Sequence, residues 1–146
     1  MAKKYNQVTP EILEQFKAIV PGKVYAGEEI NSDYFHDEMP IYGKGAPEVV
    51  IEATTTEDIA AIVKVCCENS LPVIPRGAGT GLTGAAVAVD GGVMIDMSKM
   101  NKILGYDLEN FVVRVEPGVL LNDLAEDAQK QGLLYPPDPG EKFATL

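Results

Sequence analysis

Arg76-Gly77-Ala78-Gly79-Thr80-Gly81-Leu82-Thr83-Gly84, directly after the short apolar segment Leu71-Pro72-Val73-Ile74-Pro75, is the stretch that decides the fold. Four glycines within residues 77–84 let the backbone visit φ > 0 and turn its N–H groups toward a ligand without Cβ atoms in the way. A purely structural loop rarely needs so many, and the run reads as a phosphate cradle at the end of a strand.

Upstream of the cradle, Pro47 to Ala53 holds the continuous apolar run Val49-Val50-Ile51, as expected of a buried strand. Thr54-Thr55-Thr56-Glu57-Asp58 then supplies caps for a helix whose apolar face is Ile59, Ile62, Val63, Val65 and Cys66, ending near Asn69. With Leu71 to Pro75 as a second strand, residues 47–75 form a strand, helix, strand unit. Nearer the N-terminus, Thr9-Pro10-Glu11 opens an amphipathic helix bearing Ile12, Leu13, Phe16, Ile19 and Val20, which Pro21-Gly22 stops. From Val24 to Gly45 the pattern is irregular and acid-rich, and is read as a surface connector outside the core.

Downstream, Asp90-Gly91-Gly92 marks a turn before a third strand, Val93 to Met97. Lys102 to Tyr106 and Phe111 to Glu116 flank Asp107-Leu108-Glu109-Asn110 as a hairpin. Pro117-Gly118-Val119 leads into a helix from Leu120 to Gln131, which Gly132 ends. Leu133-Leu134 then runs into the stiff loop Tyr135-Pro136-Pro137-Asp138-Pro139-Gly140.

Gly79-Thr80-Gly81-Leu82-Thr83-Gly84 satisfies the dinucleotide fingerprint GxGxxG literally and follows a strand. A nicotinamide site also needs a helix of some three turns starting within the fingerprint and a second parallel strand ending in an acid roughly 20 residues on. Asp90-Gly91-Gly92 breaks the chain too soon for that helix. A Walker loop fails too, because no Lys followed by Ser or Thr closes the run. What remains is a glycine loop that binds its anion with successive N–H groups, the Thr80 and Thr83 hydroxyls and Arg76, each bond to a charged oxygen contributing roughly 1.5–3 kcal/mol. For Arg76 an ion pair with a nearby carboxylate stays open as the alternative, and for Asp138, between two prolines, a turn role.

The run from Pro75 to Gly84, preceded by the Thr56-Glu57-Asp58 helix and followed by Val115-Glu116-Pro117-Gly118-Val119 and Pro137-Asp138-Pro139, resembles the FAD-binding (PCMH-type) domain of the vanillyl-alcohol oxidase superfamily. It is most similar to the branch of the glycolate oxidase catalytic subunit and D-lactate dehydrogenase. The resemblance runs from about Pro47 to Leu146. It implies an α+β fold in which a small strand-helix-strand lobe packs on a larger mixed-sheet lobe, only the start of which is present. Residues 1–46 are then an N-terminal helix and connector, and 47–146 the incomplete N-terminal part of the FAD-binding domain.

The same resemblance implies site residues. Arg76, Gly77, Ala78, Gly79, Thr80 and Gly81 would wrap the pyrophosphate, with Leu82 and Gly84 also lining FAD. Pro137, Asp138 and Thr145 would lie along the flavin and its ribityl chain, and Glu116, Pro117 and Gly118 toward the adenine. Where some relatives carry a histidine that tethers FAD, this chain has Thr80, so FAD is expected to be noncovalent. The family pattern continues beyond Leu146 into the rest of the FAD domain, a substrate domain and catalytic histidines, so the chain is read as an inactive fragment containing no catalytic residue. The implied parent oxidises a small D-2-hydroxy acid such as lactate or glycolate, and passes electrons to an electron-transfer flavoprotein, an iron–sulfur subunit or a quinone. A non-catalytic FAD- or partner-binding module of a complex is the alternative; a relative that also binds a nucleotide-sugar substrate is a third.

Composition sets the outer limits. The 146 residues carry 22 acids against 12 bases, a net charge of -10 with the bases scattered, which argues against nucleic acid as a partner. No apolar run approaches the roughly 20 residues of a membrane span, and Met1 to Asn6 lacks a signal-peptide core, so the reading is cytoplasmic. Cys66 and Cys67 are adjacent in a helix, their side chains roughly 100° apart, and are read as buried reduced thiols. His36 beside Asp37 and Glu38 lacks further ligands at metal-binding spacing, and the acids from Glu28 to Glu38 read as a solvated face, with a docking surface as alternative. Met94, Met97 and Met100 read as fillers near the core.

Overall fold

The computed structural model describes residues 5–39, 41, 44–137 and 140–146. Its order is α1 (Pro10–Ile19), β1 (Val24–Ala26), β2 (Val49–Glu52), α2 (Thr56–Glu68), β3 (Val73–Arg76), β4 (Val93–Asp96), β5 (Ile103–Asp107), β6 (Val112–Val115) and α3 (Leu121–Lys130). Four strands make a mixed sheet in the order β1-β2-β4-β3, and β5 and β6 form a separate antiparallel pair. β4 lies between β2 and β3 and runs parallel to both, while β1 is antiparallel to β2. The α+β class with a mixed sheet is thus as expected.

Side-chain alternation on the central strands divides the core in two. Val49, Ile51, Val93 and Ile95 face the helices and pack with Ile12 and Phe16 of α1 and Ile62, Val65 and Cys66 of α2. Val50, Met94 and Ile74 point the other way, against Ile30, Ala88, Tyr25, Tyr34 and Phe35. Burying each large apolar side chain contributes roughly 1.5–3 kcal/mol. Both helices start as their sequences predict: the Thr9 side chain caps α1, and Thr55 with Asp58 closes a capping box on α2. Cys66 is fully buried and Cys67 exposed, so only the first matches the expectation of two buried thiols.

The stretch from Val24 to Gly45 corrects the reading of a surface connector. Val24 to Ala26 add an edge strand to the sheet, with Val24 opposite Ile51 and Ala26 opposite Val49. Short 3-10 turns at Gly27–Glu29 and Ser32–Phe35 then lay Ile30, Tyr34 and Phe35 over the second face of the sheet. A three-residue strand carries too little periodicity to be read locally; β2 recruits it.

Candidate cofactor site

β3 is an edge strand, which is why it tolerates Pro75, and it delivers the chain into the glycine loop beside the C-terminal end of β4. Only two glycines of the loop use the left-handed region, Gly79 at φ 77° and Gly84 at φ 76°. A Cβ on Gly79 would also lie 2.6 Å from Cζ of Arg76, so the loop rests directly on that guanidinium. Gly77 is needed for close approach, because a Cβ there would collide with Oγ1 of Thr145. Gly81 is open, with nothing within 4 Å of the place a Cβ would take.

The N–H groups of Gly79, Thr80, Gly81, Leu82 and Thr83 donate to no acceptor among the described residues. Gly81, Leu82 and Thr83 are exposed, and Gly79 and Thr80 partly so. Consecutive unengaged donors on a glycine-rich turn are free to bind an anion. The loop thus fits the pyrophosphate of a dinucleotide.

Arg76 is enclosed by backbone carbonyls. It is 7% exposed, with Nη1 donating to the carbonyls of His36 and Ala86 at 3.0 Å each and Nη2 to that of Asp33 at 2.9 Å. Its guanidinium stands 5.5 Å from the centroid of the Tyr34 ring. No ion pair to a carboxylate forms there among the described residues. Both terminal nitrogens are thus engaged by backbone carbonyls on either side of the loop in sequence. Tyr34 donates its hydroxyl to Oδ2 of Asp96 at 2.5 Å; burial first, and then this bond, raise the Tyr34 pKa above its usual value.

Thr145 reaches the loop through α3. That helix has no side-chain cap at Leu120; instead the N–H groups of Leu121 and Asn122 donate to the carbonyls of Ala144 and Lys142, at 2.9 and 3.1 Å. The returning strand, with Leu120 bridged to Thr145, places Thr145 Oγ1 3.2 Å from the N–H of Ala78. Pro137 lines a groove of about 310 Å³ between the hairpin and α3, with Tyr106, Phe111, Leu124 and Leu134. Asp138 falls outside the described residues. The Glu116 carboxylate accepts the N–H of Lys102 at 2.8 Å.

Sequence reasoning missed Asp37. Placed among solvated acids, it is 3% exposed, and its carboxylate accepts the N–H of Met39 at 2.9 Å and of Gly84 at 2.7 Å. Those two bonds hold its carboxyl below the usual range. No local pattern separates it from Asp33 or Glu38; only the return of the glycine loop does.

Comparison with known proteins agrees with this geometry. A family model described as an FAD binding domain matches residues 47–145. The chain is 67% identical over 143 residues to the D-lactate dehydrogenase of Anaerostipes hadrus, covering 98% of this chain and 30% of that protein. With the glycolate oxidase subunit GlcD of Bacillus subtilis it shares 38% over 114 residues, 77% of this chain and 24% of that one. The chain therefore spans less than a third of the length of either relative. Among solved structures, p-cresol methylhydroxylase superposes with a TM-score of 0.72 at 28% identity, over 88% of this chain and 27% of that one. Alkyldihydroxyacetonephosphate synthase superposes with a TM-score of 0.83 at 24% identity, over 97% and 31%, a likeness of fold. An exposed glycine loop, a mixed sheet behind it and a family match over two thirds of its residues together make this chain a member of the FAD-binding domain family of PCMH type, with FAD as its cofactor.

Proposed function

We propose that the chain is the FAD-binding part of a flavin-dependent dehydrogenase that oxidises a small D-2-hydroxy acid, lactate or glycolate, to the 2-oxo acid. The run of free N–H donors from Gly79 to Thr83 carries this reading, and likeness to a D-lactate dehydrogenase and a glycolate oxidase subunit supports the substrate class. Bound FAD supplies two-electron redox chemistry that side chains lack. The backbone of Gly77 to Gly81, with the Thr80 hydroxyl, holds the pyrophosphate, while Leu82 and Gly84 line the same face. Arg76 acts from behind, joining the carbonyls of Asp33 and His36 to that of Ala86 just past the loop. Thr145 joins from the second wall through its bond to Ala78, and Pro137 and Asp138 are assigned to the flavin side by family resemblance alone.

Threonine at position 80 offers no imidazole to tether the flavin, so FAD is held noncovalently. Residues 1–46 lead into the domain and 47–146 make its first part; the base that takes the substrate's hydroxyl proton lies on other segments of the parent enzyme. Electrons leave through an electron-transfer flavoprotein or an iron–sulfur subunit, and the enzyme works in the cytoplasm. Among the described residues no helix is long and apolar enough to cross a membrane.

Adding D-lactate or glycolate anaerobically to the FAD-loaded full-length protein is expected to bleach the oxidised flavin bands. Bands that persist with both acids would replace this reading with a non-catalytic FAD- or partner-binding module. Gly81→Val tests the loop itself, because its Cβ meets nothing in the protein. Apoprotein melting should stay unchanged while FAD affinity falls ~10-fold or more; retained affinity would remove the pyrophosphate assignment.

A further inference from the structure

The glycine loop is tied at two points to a segment that precedes the matched family domain. The N–H of Glu38 donates to the carbonyl of Gly81 at 3.2 Å, and the Asp37 carboxylate accepts the N–H of Gly84 at 2.7 Å. Between these ties lie Leu82 and Thr83, and just before them the free donors of the cradle. The segment is itself anchored: Arg76 grips the carbonyls of Asp33 and His36, and Tyr34 reaches across to Asp96, which is paired with Arg76 in the β3/β4 register. Asp37 is thus a buried carboxylate with a structural position, and its bonds go to the loop and to its own turn at Met39.

We propose that residues 31–38 are a working part of the cofactor site, and that Asp37 is a positioning residue that holds the glycine loop in its FAD-binding shape. The physical reason is conformational entropy. A loop with four glycines samples many backbone states, and each one lost on binding weakens affinity unless the protein has already removed it. Bonds from Asp37 and Glu38 remove that freedom in advance, and Gly84 can hold its left-handed conformation because its N–H has a charged acceptor. Asp37 contributes no charge of favourable sign to an anion, so its benefit is geometric. The inference rests on the assignment of the loop to the FAD pyrophosphate.

The test uses the full-length protein, freed of FAD and retitrated by flavin fluorescence, with amide hydrogen exchange on the apoprotein. Asp37→Ala should weaken FAD binding ~10- to 100-fold and speed exchange at Gly84, with a smaller loss in apoprotein stability. Asp37→Asn, which keeps one acceptor oxygen, should fall between wild type and Asp37→Ala, and it carries the test if Asp37→Ala does not fold. FAD affinity within twofold of wild type in the folded Asp37 variant, alongside a Gly81→Val protein that has lost FAD, would overturn the positioning role and leave the pyrophosphate reading standing. A melting loss as large as the affinity loss would overturn it too, as general destabilisation. If Gly81→Val retains FAD, the pyrophosphate reading fails instead, and unchanged Gly84 exchange in the Asp37 variants would remove the tie as well.

Discussion

Arg76 shows how far a single residue could be read. Its place at the mouth of a glycine loop predicted a charged partner, and either phosphate or carboxylate satisfied the local pattern. The structure gives its terminal nitrogens three carbonyl oxygens, from Asp33, His36 and Ala86. Two of these come from 40 or more residues upstream, a contact no spacing rule encodes. The planar guanidinium is what lets one side chain serve three acceptors, and a lysine ammonium on a flexible stem has no such fork. Arg76→Lys is therefore expected to leave buried carbonyls unpaired and lower stability by about 2–4 kcal/mol, read from urea unfolding. Gly79, by contrast, was legible from its type alone: it needs φ > 0 and leaves no room for a Cβ.

At the scale of elements, what was legible was what local chemistry sets. That caps open α2 was visible in Thr54-Thr55-Thr56-Glu57-Asp58, though not which residues pair, and β2 and β4 were visible in their apolar runs. β1 was not, because three residues become a strand only when β2 offers its edge. Nor did the sequence reveal that β4 inserts between β2 and β3, since order in a sheet is a property of the assembled core. The cap gives a pH prediction. Burial alone would raise the Asp58 carboxyl, but bonds from the Thr54 N–H and hydroxyl and from Thr55 outweigh it and hold it below the usual carboxylate range. A folded value below the unfolded one, about 3.9, means that its stabilisation is complete above that pH and is lost as pH falls through the folded value. Asp58→Asn should cost about 1 kcal/mol at neutral pH and flatten the acid limb of a stability profile measured by urea unfolding between pH 2 and 6.

Across the whole molecule, the proposed site draws on three separated stretches that touch one another: residues 31–38, the glycine loop, and the return that carries Thr145. Only the middle one had a residue pattern of its own; resemblance supplied Thr145, and Asp37 waited for the fold. The two neighbouring cysteines turn this molecule into its own clock. Cys66 sits in the core between α2 and the sheet, and burial pushes its thiol up to about 11, whereas Cys67 faces solvent. A thiol reagent at neutral pH should modify one sulfur per chain quickly in the native protein and two after denaturation. Because Cys66 becomes accessible only when α2 lifts from the sheet, the slow second reaction, followed by mass, reads out how often the core opens. Equal rates at both sulfurs would mean that α2 is not seated as described. Each chain thus carries a built-in gauge of native-state breathing, in which one sulfur calibrates the reagent and its neighbour counts the openings.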